Sequence, residues 1–223
     1  MSKRFLSIDT STDACSVALI DNNRIISRFA ISFRKHEQKI LPMVEEVLSQ
    51  VKITLSQLDA LIFNKGPGSF TGVRVGIGVS QGLALGANLP LIGVSSLMTL
   101  AEGAYRVTGQ SKILTIINAS ASKVYYAQYE RDKNGIWLGE ETEVLLTEEC
   151  VKIKLISLSG LWSYAGNCWL TYQKFFKNNP FIKNSKIILS NAQDMLPIAN
   201  NLWSQGKIIK IENAKATYLC NII

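Results

Sequence analysis

The first residues that could do chemistry are Asp9-Thr10-Ser11-Thr12, at the end of the alternating run that begins at Phe5. A polar loop between two strands offers backbone N–H groups and hydroxyls to a phosphate, and leaves the carboxylate for a metal ion or a water. The same four residues also read as an ordinary polar strand end. The second group is Gly66-Pro67-Gly68-Ser69-Phe70-Thr71-Gly72, a glycine-rich turn feeding a helix, where backbone donors can hold an anion. It is no Walker A loop, because no Gly-Lys-Ser or Gly-Lys-Thr follows. Gly76-Ile77-Gly78 lacks the third glycine of a dinucleotide fingerprint. Pro67 stands where a nucleophile elbow around Ser69 would need its first glycine. Asp9, Thr10, Ser11, Gly68 and Ser69 are therefore the candidate nucleotide-binding residues, for ATP or ADP.

Histidine and cysteine exclude more than they offer. His36 is the single histidine, so no site that needs two imidazoles can be built. Beside Arg34 and Lys35 it reads as a surface residue rather than as the base of a hydrolase triad. Cys15, Cys150, Cys168 and Cys220 are far apart and form no Cys-x-x-Cys pair, which suits a reducing compartment. No metal site is expected.

Several elements must position these residues. Phe5 to Thr10, Cys15 to Ile20 and Ile25 to Ile31 alternate as strands, and Asp21-Asn22-Asn23 is a hairpin turn, so the chain opens as a three-stranded antiparallel meander. Ile40, Leu41, Val44, Val47 and Leu48 predict a helix from His36 to Gln50. A buried-type strand over 59–64, a helix over 71–87, a strand over 91–94 and a helix over 97–106 follow. The opening then has an echo: adding 109 to Asp9 gives Asn118, and adding 109 to Val17 gives Tyr126. The echo is followed by a turn at Asp132-Lys133-Asn134-Gly135, strand-like 143–146 and 162–165, and a helix over 191–205 stopped by Gly206. The pattern predicts a duplicated α/β fold, with lobes 1–108 and 109–223 whose last segment can return to the first lobe. The echo argues against catalysis. A symmetric phosphotransferase site wants a second carboxylate at Asn118, and an amide cannot serve as a base.

The 71–87 helix is the most informative element. Gly72, Gly76, Ser80 and Ala84 recur every four residues, and Gly78, Gly82 and Gly86 form a second stripe on another side. Valines, isoleucine and leucines fill most of the rest, and besides the small hydroxyls of Thr71 and Ser80 only Arg74 and Gln81 are polar. A helix apolar nearly all round is buried on more than one side. Each interior glycine costs about 1 kcal/mol relative to alanine, so several need an offsetting gain from close backbone approach. One stripe can pack on the chain's own sheet. The other is buried either within the monomer or against a helix of another chain.

Composition sets the outer bounds. Of 223 residues 47% are hydrophobic and 18% charged, which fits a packed core. Neither a secretion signal nor an apolar stretch of membrane length is present, so a cytoplasmic protein without membrane attachment is expected. Lys plus Arg number 24 against 17 acids, a formal charge of +7, but the positive residues are scattered and no RNA-binding signature accompanies them.

With these residues in hand the chain resembles the TsaB (YeaZ) family over nearly its whole length. The resemblance rests on Ile8-Asp9-Thr10-Ser11-Thr12 with Ala14 to Leu19, Ile40-Leu41-Pro42-Met43-Val44, Gly66 to Arg74 continuing through Gly82-Leu83-Ala84, Asn134-Gly135-Ile136-Trp137 and Asp194 to Ala199. It implies the actin-like ATPase fold (ASKHA, ribonuclease H-like), with two duplicated lobes of mixed sheet and helices. It also implies a non-catalytic subunit of tRNA threonylcarbamoyladenosine synthesis, beside the TsaD transferase and TsaE. tRNA would be met through the complex, no cofactor would be required, and the chain alone would form a homodimer. TsaD-type sequences carry a His-x-x-x-His metal site after the strand that matches Leu91 to Val94. The two positions here are Ser96 and Leu100. Pairing in such proteins runs through the first two helices, here through His36, Lys39, Ile40, Met43 and Val47 with Arg74, Val75, Gly78, Val79, Gly82 and Leu83. Two departures stand out. Asn118-Ala119-Ser120 replaces an Asp-Ala-Arg-like triplet, and Cys220 follows Tyr218-Leu219 in place of arginine. The rival readings are an actin-like ATPase or kinase, a peptidase, and a homodimeric binding module with no transferase partner.

Overall fold

The computed structural model describes residues 3–33, 35–120, 122–168, 171–173, 176 and 179–219. Cys220 and the residues after it lie outside this set. The opening meander is β1 (Phe5–Asp9), β2 (Ala14–Asp21) and β3 (Arg24–Ile31), paired antiparallel. Asn22 and Asn23 make the turn between β2 and β3 with φ of 49° and 66°, the left-handed region that asparagine tolerates and that tight hairpins need. Helix α1 (His36–Val51) follows, then β4 (Ala60–Asn64), α2 (Phe70–Ala87) and β5 (Leu91–Val94). β4 and β5 add in parallel, so the first sheet has the order β3-β2-β1-β4-β5.

After α3 (Ser96–Thr108) the plan repeats. β6 (Lys112–Ser120) and β7 (Lys123–Arg131) form an antiparallel pair. β8 (Trp137–Leu138) and β9 (Val144–Thr147) add to β7, and β10 (Trp162–Ala165) and β11 (Ile182–Asn184) extend the other side in parallel. Among the described strands the second sheet runs β11-β10-β6-β7-β8, the same arrangement of meander and parallel strands as the first. Helix α4 (Glu148–Ile156) starts at Thr147, whose hydroxyl accepts from the Cys150 N–H, and α5 (Ala192–Ser204) closes the series.

The described residues divide into two units, one of residues 3–99 with Ser190–Thr217, the other of Leu100–Leu189 with Tyr218 and Leu219. The division lies at 99/100 rather than at 108/109, and the segment after 189 belongs to the first unit. The cause is local. Ser7 Oγ donates to the Ala192 carbonyl at 2.7 Å, and the Ala192 N–H donates to Ser16 Oγ at 2.9 Å. These two buried serines hold the start of α5 on β1 and β2, and α5 then buries Met195, Leu196, Ile198 and Ala199. Buried hydroxyls placed on partners in this way stabilise by about 1 kcal/mol each and cost more when orphaned.

The first core gathers Leu6, Ile8, Val17 and Leu19 of the sheet with Ile40, Val44 and Val47 of α1 and Val73, Ile77 and Ala84 of α2. Three residues assigned above to a partner interface therefore need correction. Ile40 and Val47 are 0% exposed and His36 is 6% exposed, so they serve the monomer's core. His36 is equally not the surface residue that its charged neighbours suggested. The second core is built from Leu114, Ile116, Val124, Tyr126, Val151, Leu155, Trp162 and Tyr164 with the aromatic residues Tyr172 and Phe176.

Candidate docking face and phosphate loop

β1 delivers Asp9 to a site that is 2% exposed. Its Oδ1 accepts from the Ser11 N–H at 2.8 Å and from the Ser11 hydroxyl at 2.7 Å, while its Oδ2 is buried without a hydrogen-bond partner among the described residues. Ser11 Oγ also lies 3.2 Å from Ser190 Oγ. Thr10 Oγ1 donates to the Gly72 carbonyl at 2.7 Å, and the Ser69 N–H donates to the Ser11 carbonyl at 2.8 Å. The glycine-rich turn thus lies directly on the loop. A Cβ on Gly68 would stand 2.3 Å from Ser11 O, and one on Gly72 would stand 2.1 Å from Thr10 O. These glycines are explained by close packing inside the chain.

The consequence is chemical. Both hydroxyls that a phosphate would use already have protein partners, and Thr10 and Ser11 are each 1% exposed. Ser69 is exposed, and its Oγ accepts from the Gly72 N–H at 3.3 Å as the cap of α2. Nearby, burial and then the Asp9 carboxylate push the Cys15 thiol up to about 11, against a smaller opposing pull from Lys39. Such a thiol is not a thiolate nucleophile near neutral pH. In the second unit Asn118 is exposed, and its N–H donates to Asn167 Oδ1 at 2.8 Å. Among the described residues no group of three or more His, Cys, Asp or Glu is placed to hold a metal ion.

Helix α2 shows where the two stripes face. Gly72, Gly76, Ser80 and Ala84 are buried, whereas Gly78, Gly82 and Gly86 are exposed. A Cβ on Gly76 would stand 2.6 Å from Thr10 Oγ1, but a Cβ on Gly78, Gly82 or Gly86 would meet nothing within 4 Å among the described residues. Burial within the monomer explains the first stripe and leaves the second unexplained. Val75, Val79 and Leu83 flank the open stripe, half-buried, and Arg74 is exposed with its guanidinium 3.4 Å from the Phe70 ring centroid. α1 packs beside α2 and contributes Lys39 and Met43, both half-buried. Lys39 Nζ donates to the Ile31 carbonyl at 3.1 Å, at the outer end of β3. Three exposed apolar side chains, Leu41 at 50%, Phe70 at 70% and Leu85 at 73%, also lie on these two helices and were not among the interface residues named from sequence. Helical projection of Leu85 beside Gly78 and Gly82 would have found that one.

Comparison with known proteins bears on this geometry. The family model "TsaD: tRNA N6-adenosine threonylcarbamoyltransferase" matches residues 27–178. The TsaB protein of Escherichia coli, named a tRNA threonylcarbamoyladenosine biosynthesis protein, is 46% identical, over 98% of this chain and 95% of that one. The TsaB of Haemophilus influenzae is 37% identical over 97% and 93%. The chain belongs to the TsaB family. Its role accordingly lies in tRNA threonylcarbamoyladenosine biosynthesis. Among solved structures, YeaZ from Pseudomonas aeruginosa superposes with a TM-score of 0.87 at 34% identity, over 98% of this chain and 100% of that one. A second Pseudomonas aeruginosa structure, described as similar to peptidase YeaZ, gives 0.89 at 36% over the same shares. The duplicated mixed α/β fold expected of a TsaB-family chain, two sheets with helices, is the one described above. Of the two positions that the resemblance set against a histidine pair, Ser96 donates from Oγ to Asn64 Oδ1 at 2.6 Å, and Leu100 is 1% exposed in the core. Both positions have structural work in this TsaB-family member.

Proposed function

We propose that this chain is a non-catalytic subunit that docks the TsaD transferase through the α1–α2 face. TsaE joins the complex, tRNA is reached only through it, and the cytoplasm is where it works. Alone, the chain uses the same face to form a homodimer. The observation that carries this reading is the open glycine stripe. Gly78, Gly82 and Gly86 cost helix stability, have no neighbour among the described residues, and leave a flat strip between exposed Leu85 and half-buried Val75 and Val79. Such a strip lets a second helix approach with backbone near backbone. The closed loop at Asp9 supports the same reading, since its hydroxyls are already engaged.

The test is reconstituted tRNA modification with TsaD, TsaE and the substrates of the reaction. Gly82→Trp should abolish product, and Asp9→Asn should leave it within about twofold. Product formation that survives Gly82→Trp overturns the docking face. One observation favours a second reading, ATP hydrolysis at Asp9: its Oδ2 has no partner. That reading requires ATP turnover by the isolated chain that disappears in Asp9→Asn.

A further inference from the structure

The segment after α5 runs back along the first unit as a strap, and its fastening is specific. Ile209 pairs with Leu91 through two backbone hydrogen bonds, Ile209 N–H to Leu91 O at 2.9 Å and Leu91 N–H to Ile209 O at 3.2 Å. At the far end the Thr217 N–H donates to Lys65 O at 2.7 Å. Leu91 begins β5 and Lys65 follows β4, so the strap spans the flank of α2 that connects them. Midway, Gln81 Nε2 donates to Ile211 O at 2.9 Å and to Ala214 O at 3.4 Å. Ala214 is buried, and Ile209, Ile211 and Ala216 pack against the first core.

Gln81 stands about 60° round the α2 axis from Gly78, since three residues advance about 300°. On the other side of the stripe, Val79 and Leu83 turn into the first core. The strap therefore lies on the Leu85 and Arg74 side of the open glycine stripe, outside those two residues, with Glu212, Asn213 and Lys215 exposed along it. Gln81 itself is half-buried, and an amide that bridges two strap carbonyls fixes the strap's height and position against α2.

We propose that Gln81 is a positioning residue of the docking face. By holding strap residues 209–217 against α2 it makes them the outer border of the groove that receives a helix of the transferase. This rests on the docking reading above. A partner laid on the stripe meets the strap's polar residues at its edge, so pairing depends on a segment remote in sequence from both docking helices.

Gln81→Met keeps the side-chain length and removes both donors. Gln81→Glu turns carboxylate oxygens toward two carbonyls, and Gln81→Lys restores a donor that can reach them. Amide hydrogen exchange over 209–217 and the affinity of pairing, with a second copy and with the transferase, are measured for each. Met and Glu should release amide protection in 211–217 while α2 and the sheets stay protected, and pairing should weaken about tenfold, because binding must then order the released strap. Lys should restore both. Retained strap protection in the Met and Glu variants, or wild-type pairing despite lost protection, overturns the proposal and leaves the docking reading intact. A wild-type chain that pairs with neither partner overturns both.

Discussion

Replacing Gly78, Gly82 and Gly86 together by alanine should make the isolated chain more stable. Each alanine gains about 0.5–1 kcal/mol in a helix interior, because glycine gives up more backbone freedom on folding. None of the three Cβ atoms meets anything within 4 Å among the described residues, so no packing term there opposes the gain. The sum is about 2 kcal/mol, which corresponds to a rise in melting temperature of roughly 4–8 °C for a chain of this size. Gly72→Ala should do the reverse. Its Cβ would stand 2.1 Å from the Thr10 carbonyl, a backbone atom at the end of β1, and relief requires the helix or the loop to move. Overpacking of that kind costs about 1–3 kcal/mol, which exceeds the propensity gain. Urea titrations at low protein concentration are the assay, since a homodimer would add stability by mass action. Destabilisation of the monomer by the triple alanine variant would show that the stripe is covered within the chain, and would refute the argument that it is kept open for a partner.

Other outcomes follow from the same contacts. Ser16→Ala should cost about 1–3 kcal/mol in a urea titration, because it orphans the buried Ala192 N–H; no measurable loss would show that α5 does not need this tie. Asp9→Asn should cost less than about 2 kcal/mol in the same titration, since the amide keeps the Oδ1 acceptor for Ser11 and exchanges a partnerless Oδ2 for a partnerless Nδ2; a larger loss would contradict that account. Burial holds the Cys15 and Cys168 thiols up at about 11 and about 12, against an ordinary 9.0. The unfolded chain therefore releases these protons first, and stability that is present below pH 9 falls as pH rises through 11 and 12. The urea midpoint should be equal at pH 7.5 and 8.5 and lower at pH 10.5, and an unchanged midpoint at pH 10.5 would refute the assignment.

Much of the first sheet was legible because its alternation and its Asn22-Asn23 turn are local signals. The echo at a spacing of 109 pointed to the duplication, and β6 and β7 fall where that spacing puts β1 and β2. The two glycine stripes were also legible, since helical projection separates them and the structure buries one and exposes the other. The destination of α5 was not, because an apolar stripe does not say which sheet it will cover. That choice is made by Ser7 and Ser16, about 180 residues away in sequence, which meet Ala192. The assignment of Ile40 and Val47 to an interface failed for a geometric reason. They share a stripe with Val44, and a stripe that fills the core cannot also face a partner. The internal partners of Thr10 and Ser11 depend on how close the glycine turn comes, and only the fold supplies that distance.

The central claim is that the α1–α2 face docks the transferase. Co-expression with TsaD from the same organism, followed by size exclusion with light scattering, tests it most directly. The account predicts a stable mixed complex with the wild-type chain and separate species with Gly82→Trp, whose folded state should be intact because position 82 is open in the monomer. A mixed complex that persists with Gly82→Trp, or none with the wild-type chain, would contradict it.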